Sequence, residues 1–159
     1  MTGRVVIIMG SKRDLNHVNK IVAQLEELGV GYVLHVASAH KSVRHLLDLL
    51  AQYDQDSQPT IFIAVAGRSN ALAGMIDANT VCPVITCPPV SAAFAGADIY
   101  SSLRMPSGVA PTVILEPRGA ALAAAKILAL SDPDLSARIS AYQGDMTDEV
   151  LSADESLST

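Results

Sequence analysis

The chain is largely apolar, and its chemistry-bearing side chains gather in a few short segments. The first is Gly10-Ser11-Lys12-Arg13-Asp14. Gly10 permits a tight turn and Ser11 supplies a hydroxyl. The free N–H groups of a helix opening here can hold a phosphate or another anion. Asp14 can accept hydrogen bonds from ribose hydroxyls. Ser11 or Asp14 can equally do no more than cap that helix. The segment has neither the GxGxxG spacing of a dinucleotide turn nor the GxxxxGK[ST] of a P-loop.

The second segment is Ser38-Ala39-His40-Lys41-Ser42. An imidazole at His40 can take or give a proton near neutral pH, and Lys41 can bind a phosphate or a carboxylate. The plain alternative is a surface histidine beside a solvated lysine. His17, His35 and His45 fall inside regular elements, and His40 and His45 do not have the i, i+4 spacing of a helical metal pair. The third segment, Ala66-Gly67-Arg68-Ser69-Asn70-Ala71, turns polar abruptly after an apolar run. Gly67 lets a ligand approach the backbone. Ser69 or Asn70 can bond that ligand, or simply cap the next helix. Further on, Cys87-Pro88-Pro89 forces an extended loop, and Met105-Pro106-Ser107-Gly108 makes a rigid turn able to close over a site. No carboxylate pair of glycosidase type and no defensible Ser–His–Asp order is present.

These segments need elements to position them. Residues 4–9, 31–36, 60–66, 83–87 and 112–115 read as strands. The first and third are continuously apolar and β-branched, which marks strands covered on both faces in a parallel sheet. Between them, residues 14–28 place Leu15, Val18, Val22, Leu25 and Leu28 on one helical stripe that stops at Gly29. Residues 42–54 repeat the pattern, 71–79 and 91–103 are weaker helices, and 118–130 are Ala-rich and helical. Ser131 or Asp132 can cap a last helix with Pro133 in its first turn, running past Tyr142 and fraying in an acidic tail.

Strand–helix alternation predicts an α/β fold: a three-layer αβα domain with a flavodoxin-like parallel sheet of order 2-1-3-4-5 and an extra C-terminal helix. Ligands bind such sheets beyond the carboxyl ends of the strands, near the switch in strand order, where the three polar segments fall.

Composition narrows the function classes. The 159 residues fit one domain, expected over 1–143, followed by an acidic tail over 144–159 that is either the end of the last helix or disordered. Hydrophobic residues make up 50% and charged residues 17%, which excludes disorder for most of the chain. It also leaves apolar surface for subunit interfaces to cover. The tail holds Asp145, Asp148, Glu149, Asp154 and Glu155 without Lys or Arg, so it carries the whole formal charge of −5. The N-terminal quarter, with Arg4, Lys12, Arg13, Lys20, Lys41 and Arg44, is locally positive. That suits a small anion rather than nucleic acid.

No run is long and apolar enough for a membrane helix or a signal-peptide core. Cys82 and Cys87 have neither CxxC nor zinc spacing and read as small buried hydrophobes. The expectation is a cytoplasmic protein without metal or disulfide. Two other occupants of this fold fit poorly. A phosphoacceptor receiver needs acids at the ends of the first and third strands, where this chain has Ile8-Met9-Gly10 and Ala64-Val65-Ala66. A flavodoxin needs a Ser/Thr-rich phosphate loop and aromatics to sandwich the flavin.

Taken in order, MGSKRD (9–14), SAHK (38–41), AGRSN (66–70), CPP (87–89), SSLRMPSG (101–108) and ILALSDP (127–133) make the chain resemble the aminoimidazole ribonucleotide carboxylase family of purine biosynthesis, from Val5 to about residue 140. The common bacterial branch of that family is a mutase, moving a carboxylate from the N5 amine to C4, and typically shows SAHR and a glycine-rich loop with its own histidine. Lys41 and the histidine-free AGRSNALAG are instead similar to the animal-type branch, class II, which uses CO2 directly.

The resemblance implies an octamer with the C-terminal helix packing on neighbouring subunits. Ser11 and Asp14 would hold phosphate and ribose. Ser38 and Lys41 would line the same pocket, His40 would transfer the proton, and Gly67 and Ser69 would contact the imidazole or the incoming carboxylate. Arg13 stands where the mutase branch typically has a second serine, and the role of Arg68 is open. The chemistry calls for no metal, biotin or ATP: the partners are the ribonucleotide and CO2. The alternatives are the mutase and, from another class, a non-catalytic nucleotide-binding module.

Overall fold

A computed structural model describes residues 2–158. β1 (Arg4–Met9), β2 (Gly31–Val36), β3 (Thr60–Val65), β4 (Val84–Thr86) and β5 (Thr112–Val113) form one sheet in the order β2-β1-β3-β4-β5, all parallel. The chain leaves β1 for one neighbour and returns on its other side as β3. The order therefore reverses between β1 and β3, and a crevice opens beyond their carboxyl ends.

Strand alternation divides the interior in two. Val5, Ile7 and Met9 of β1 face one way with Ile61, Ile63 and Val65 of β3, against α1 (Leu15–Glu27) and α5 (Pro117–Leu128). Val6, Ile8, Phe62 and Ala64 face the other way, against α2 (Val43–Asp54) and α3 (Ala71–Asp77). The continuous burial of β1 and β3 follows from this coverage on both faces. Ala120, Ala121, Ala124 and Ala125 are fully buried, and their small side chains let α5 lie close on the sheet and α1.

Local chemistry ends the helices where the sequence indicates. Gly29, at φ 66°, closes α1, with Gly29 N–H donating to Glu26 O and Val30 N–H to Leu25 O. Glu116 caps α5 by accepting from Arg118 N–H, with Pro117 in the first turn. Asp132 caps α6 (Pro133–Leu157) by accepting from Leu135 N–H at 2.9 Å. Arg138 Nε donates to Leu28 O at 3.0 Å, holding the first turns of α6 to the body. The helix continues through the acidic stretch, and every described residue from Gln143 onward is exposed.

The weaker helix expected over 91–103 is not one helix. Ala95 (φ 48°) and Gly96 (φ 79°) are left-handed and break it into 3-10 turns at Ala92–Phe94 and Ala97–Ile99, followed by the short α4 (Tyr100–Leu103). The third, fourth and fifth strands are also shorter than the apolar runs that mark them.

At the amino edge of the sheet, Arg4 is held by four neighbours. Its guanidinium pairs with Asp56 at 2.8 Å, donates to Gln58 Oε1 and Thr60 Oγ1, and lies 4.6 Å over the Tyr53 ring. Spare apolar surface appears on the edge strand, where Val33, Leu34 and Val36 are exposed, and at Leu130 between α5 and α6. No helix among the described residues is long and apolar enough to cross a membrane.

Candidate functional site

A cleft of about 620 Å³ lies beyond the carboxyl ends of β1, β2 and β3. Ser11 and Asp14 line it from the first polar segment, Ser38, His40 and Lys41 from the second, and Gly67 and Ser69 from the third. The structure thus brings together every residue singled out for the site from three separate loops. Arg13 and Arg68 line the cleft as well.

The first loop is short because Gly10 N–H donates to Val65 O at 2.9 Å, fastening the exit of β1 to the end of β3. Ser11 serves as cap and cleft wall at once. Its Oγ accepts from Arg13 N–H at 3.2 Å, capping the single 3-10 turn Lys12–Asp14, and its own hydroxyl proton remains to donate. Burial pushes the Asp14 carboxyl above its usual range, partly offset by a hydrogen bond from the Ser11 backbone and by nearby His17.

The second loop is a turn clamped by a residue that sequence reasoning left without a role, Ser42. Ser38 N–H donates to Ser42 Oγ at 2.8 Å, and Ser42 N–H returns to Ser38 O at 2.9 Å. His40 N–H points at Ser38 Oγ at 3.4 Å. The clamp turns the backbone over so that the exposed His40 and Lys41 face the cleft.

The third loop bends sharply. Arg68 is left-handed at φ 62°, a conformation that costs a residue with a side chain about 1–3 kcal/mol. Gly67 suits a close approach: a Cβ there would crowd Pro89 O at 3.0 Å. Asn70 proves to be the cap rather than a ligand residue. It is buried, accepts from Ala73 N–H at the start of α3, and donates through Nδ2 to Thr86 Oγ1 and Ser102 Oγ. Ser101 Oγ accepts from Asn70 N–H at 3.0 Å and donates to Asp98 O at 2.8 Å, while Asp98 Oδ2 accepts from Arg68 N–H at 3.2 Å.

Pro89, Val90 and Ser91 complete the rim, and Leu72 contributes an apolar wall. Only Pro89 drew notice in the sequence, as part of an extended loop. His17 fixes where that loop begins, through its ring and the carbonyl of Cys87. The turn Met105-Pro106-Ser107-Gly108 does not close over the cleft. It lies against α3, with the Met105 sulfur near Gly74, and none of its residues lines the site. Cys87 is buried and Cys82 half-buried, and both are free thiols; burial pushes the Cys87 thiol up to about 12.

Asp14 is the only carboxylate among the lining residues, against the cations Arg13, Lys41 and Arg68. Such a wall attracts an anion. The cleft therefore offers backbone and hydroxyl donors for a phosphate, an acceptor for sugar hydroxyls, and an imidazole at the opening. Among the described residues, no three His, Cys, Asp or Glu side chains group closely enough to hold a metal ion.

The family model described as AIR carboxylase matches residues 4–149. The phosphoribosylaminoimidazole carboxylase of Archaeoglobus fulgidus is 48% identical over 154 residues, covering 97% of this chain and 84% of that protein. The phosphoribosylaminoimidazole carboxylase of Treponema denticola is 42% identical over 153 residues, covering 96% of each. The crystal structure of Treponema denticola PurE is similar with a TM-score of 0.96 at 41% identity, over 99% of both chains.

Proposed function

The chain belongs to the AIR carboxylase family, and on that premise we propose that it carboxylates 5-aminoimidazole ribonucleotide at C4 using CO2 directly, a reversible carboxy-lyase step of purine biosynthesis. The observation that carries the reading is that His40 shares one cation-lined cleft with Ser11, Asp14, Gly67 and Ser69. Lys41, and a third loop without histidine, favour direct use of CO2 over the mutase reaction.

The chemistry follows from the substrate's electronics. The ring is an enamine, so C4 is already nucleophilic. A new C–C bond forms as C4 attacks CO2, giving a carboxylate and a ring carbon that still bears its hydrogen. His40 removes that proton, and the C–H electron pair restores aromaticity. In the reverse direction the same imidazole returns the proton to C4 and CO2 leaves. One positioned base contributes about 10²–10⁴-fold. Holding CO2 against C4 and donating hydrogen bonds to the new carboxylate contribute the rest.

In this reading Ser11 and Asp14 hold phosphate and ribose, and Ser38 and Lys41 line the same pocket, with Lys41 near anionic groups. Gly67 and Ser69 approach the imidazole and its carboxylate. The protein acts in the cytoplasm as a homo-octamer, which the exposed apolar side chains of β2 support; sedimentation at about eight times 16.6 kDa checks the assembly.

The deciding assay supplies aminoimidazole ribonucleotide and bicarbonate, without ATP or a partner synthetase. Turnover of that substrate is expected. Turnover of the N5-carboxylated isomer alone identifies a mutase, and turnover of neither leaves a nucleotide-binding module.

A further inference from the structure

Arg68 and Ser69 line the cleft with the backbone of Arg68 left-handed, and that conformation is held from outside the cleft. Arg68 N–H donates to Asp98 Oδ2 at 3.2 Å. Two residues further on, Asn70 N–H donates to Ser101 Oγ, whose proton lies within reach of Asp98 O at 2.8 Å and of Arg68 O at 3.3 Å. The segment Asp98–Ser102 thus grips both ends of the bend, and Asp98 supplies its side chain to one and its backbone to the other. Asp98 itself does not line the cleft. Its other carboxylate oxygen, Oδ1, is buried and has no hydrogen-bond partner. No ion pair within 4.0 Å involves it among the described residues.

We infer that Asp98 is a positioning residue: its side-chain oxygen accepts from the Arg68 peptide, keeps it left-handed and so presents Gly67, Arg68 and Ser69 to the substrate. This rests on the carboxylase reading of the same cleft. The strained bend is a minor conformation for a free arginine backbone. Without its acceptor the loop relaxes, and the fraction of molecules able to bind falls. Apparent affinity falls by that fraction while the chemistry of the bound complex is unchanged.

The test compares Asp98→Ala, Asp98→Asn and Arg68→Gly, each variant alone and Asp98→Ala combined with Arg68→Gly. Asp98→Ala is expected to raise KM for aminoimidazole ribonucleotide about tenfold with kcat within about twofold. Asp98→Asn keeps an acceptor oxygen and is expected to stay within about threefold of the original KM. In the Arg68→Gly background, where the left-handed backbone carries no steric cost, adding Asp98→Ala is expected to leave KM unchanged. Hydrogen exchange at the Arg68 amide should speed up in Asp98→Ala and not in Asp98→Asn, whatever the substrate proves to be.

The inference is overturned by an unchanged KM and unchanged Arg68 exchange in Asp98→Ala. It is also overturned by an Asp98→Asn variant as impaired as the alanine, or by an equal loss in the Arg68→Gly background. Failure of the unsubstituted protein to turn over the ribonucleotide refutes the carboxylase reading instead, and leaves the exchange measurement to decide on Asp98.

Discussion

His17 donates its Nε2 proton to the carbonyl of Cys87 at 3.1 Å, joining α1 to the carboxyl end of β4. A carbonyl can only accept, so the ring carries hydrogen on Nε2. Burial lowers the pKa of His17 below 6.5, with the Cys87 contact opposing part of that shift. His35 is likewise lowered, by burial and by the nearby charge of His45. The folded protein therefore resists protonating both rings, and the unfolded chain binds more protons just below pH 6.5. The contribution is complete above 6.5 and is lost as pH falls from there towards the lower folded values. The urea midpoint is expected to drop between about pH 7.5 and about pH 5.5. His17→Gln, which keeps a donor for Cys87 O, should show a shallower drop. Identical pH profiles for the two proteins would refute the assignment to His17.

Replacing His40 with Asn should lower kcat by about 10²–10⁴-fold. Because His40 stands at the opening, outside both cores, KM for the ribonucleotide and the thermal midpoint should hardly move. Steady-state kinetics beside a melting curve check both. Turnover within a few-fold of the original removes His40 from the proton transfer.

Asn70→Ala withdraws the donor shared by the buried Thr86 and Ser102 hydroxyls and uncaps α3. A loss of about 2–4 kcal/mol is expected, read from urea unfolding. A loss below about 0.5 kcal/mol would mean that the hydroxyls find other partners.

With its thiol pushed up to about 12, Cys87 stays protonated at mildly alkaline pH. Cys82 is only half-buried, so a reagent reaches it without unfolding. A thiol reagent at about pH 8 should label Cys82 alone in the native protein and both residues after unfolding. Rapid native labelling of Cys87 contradicts its burial.

The sheet order and the cleft were legible because their signals are local. Apolar β-branched runs mark β1 and β3, and each run ends in an abrupt polar segment that the parallel topology must bring to one edge. What escaped notice depends on partners distant in sequence. Asp98 and Ser101 act on Arg68 and Asn70 some thirty positions earlier. Ser42 works through a turn whose closure no residue type announces, and His17 reads as an ordinary helical histidine until β4 lies beside it. The 91–103 stretch misled for a related reason. Its small residues favour a helix, but a left-handed pair at Ala95 and Gly96 interrupts it.

The Arg4 cluster with Asp56, Gln58 and Thr60 sits at the end of the sheet opposite the cleft. Changes made to that cluster are consequently remote from turnover, and a dye or surface tether placed near Asp56 leaves the substrate's approach clear.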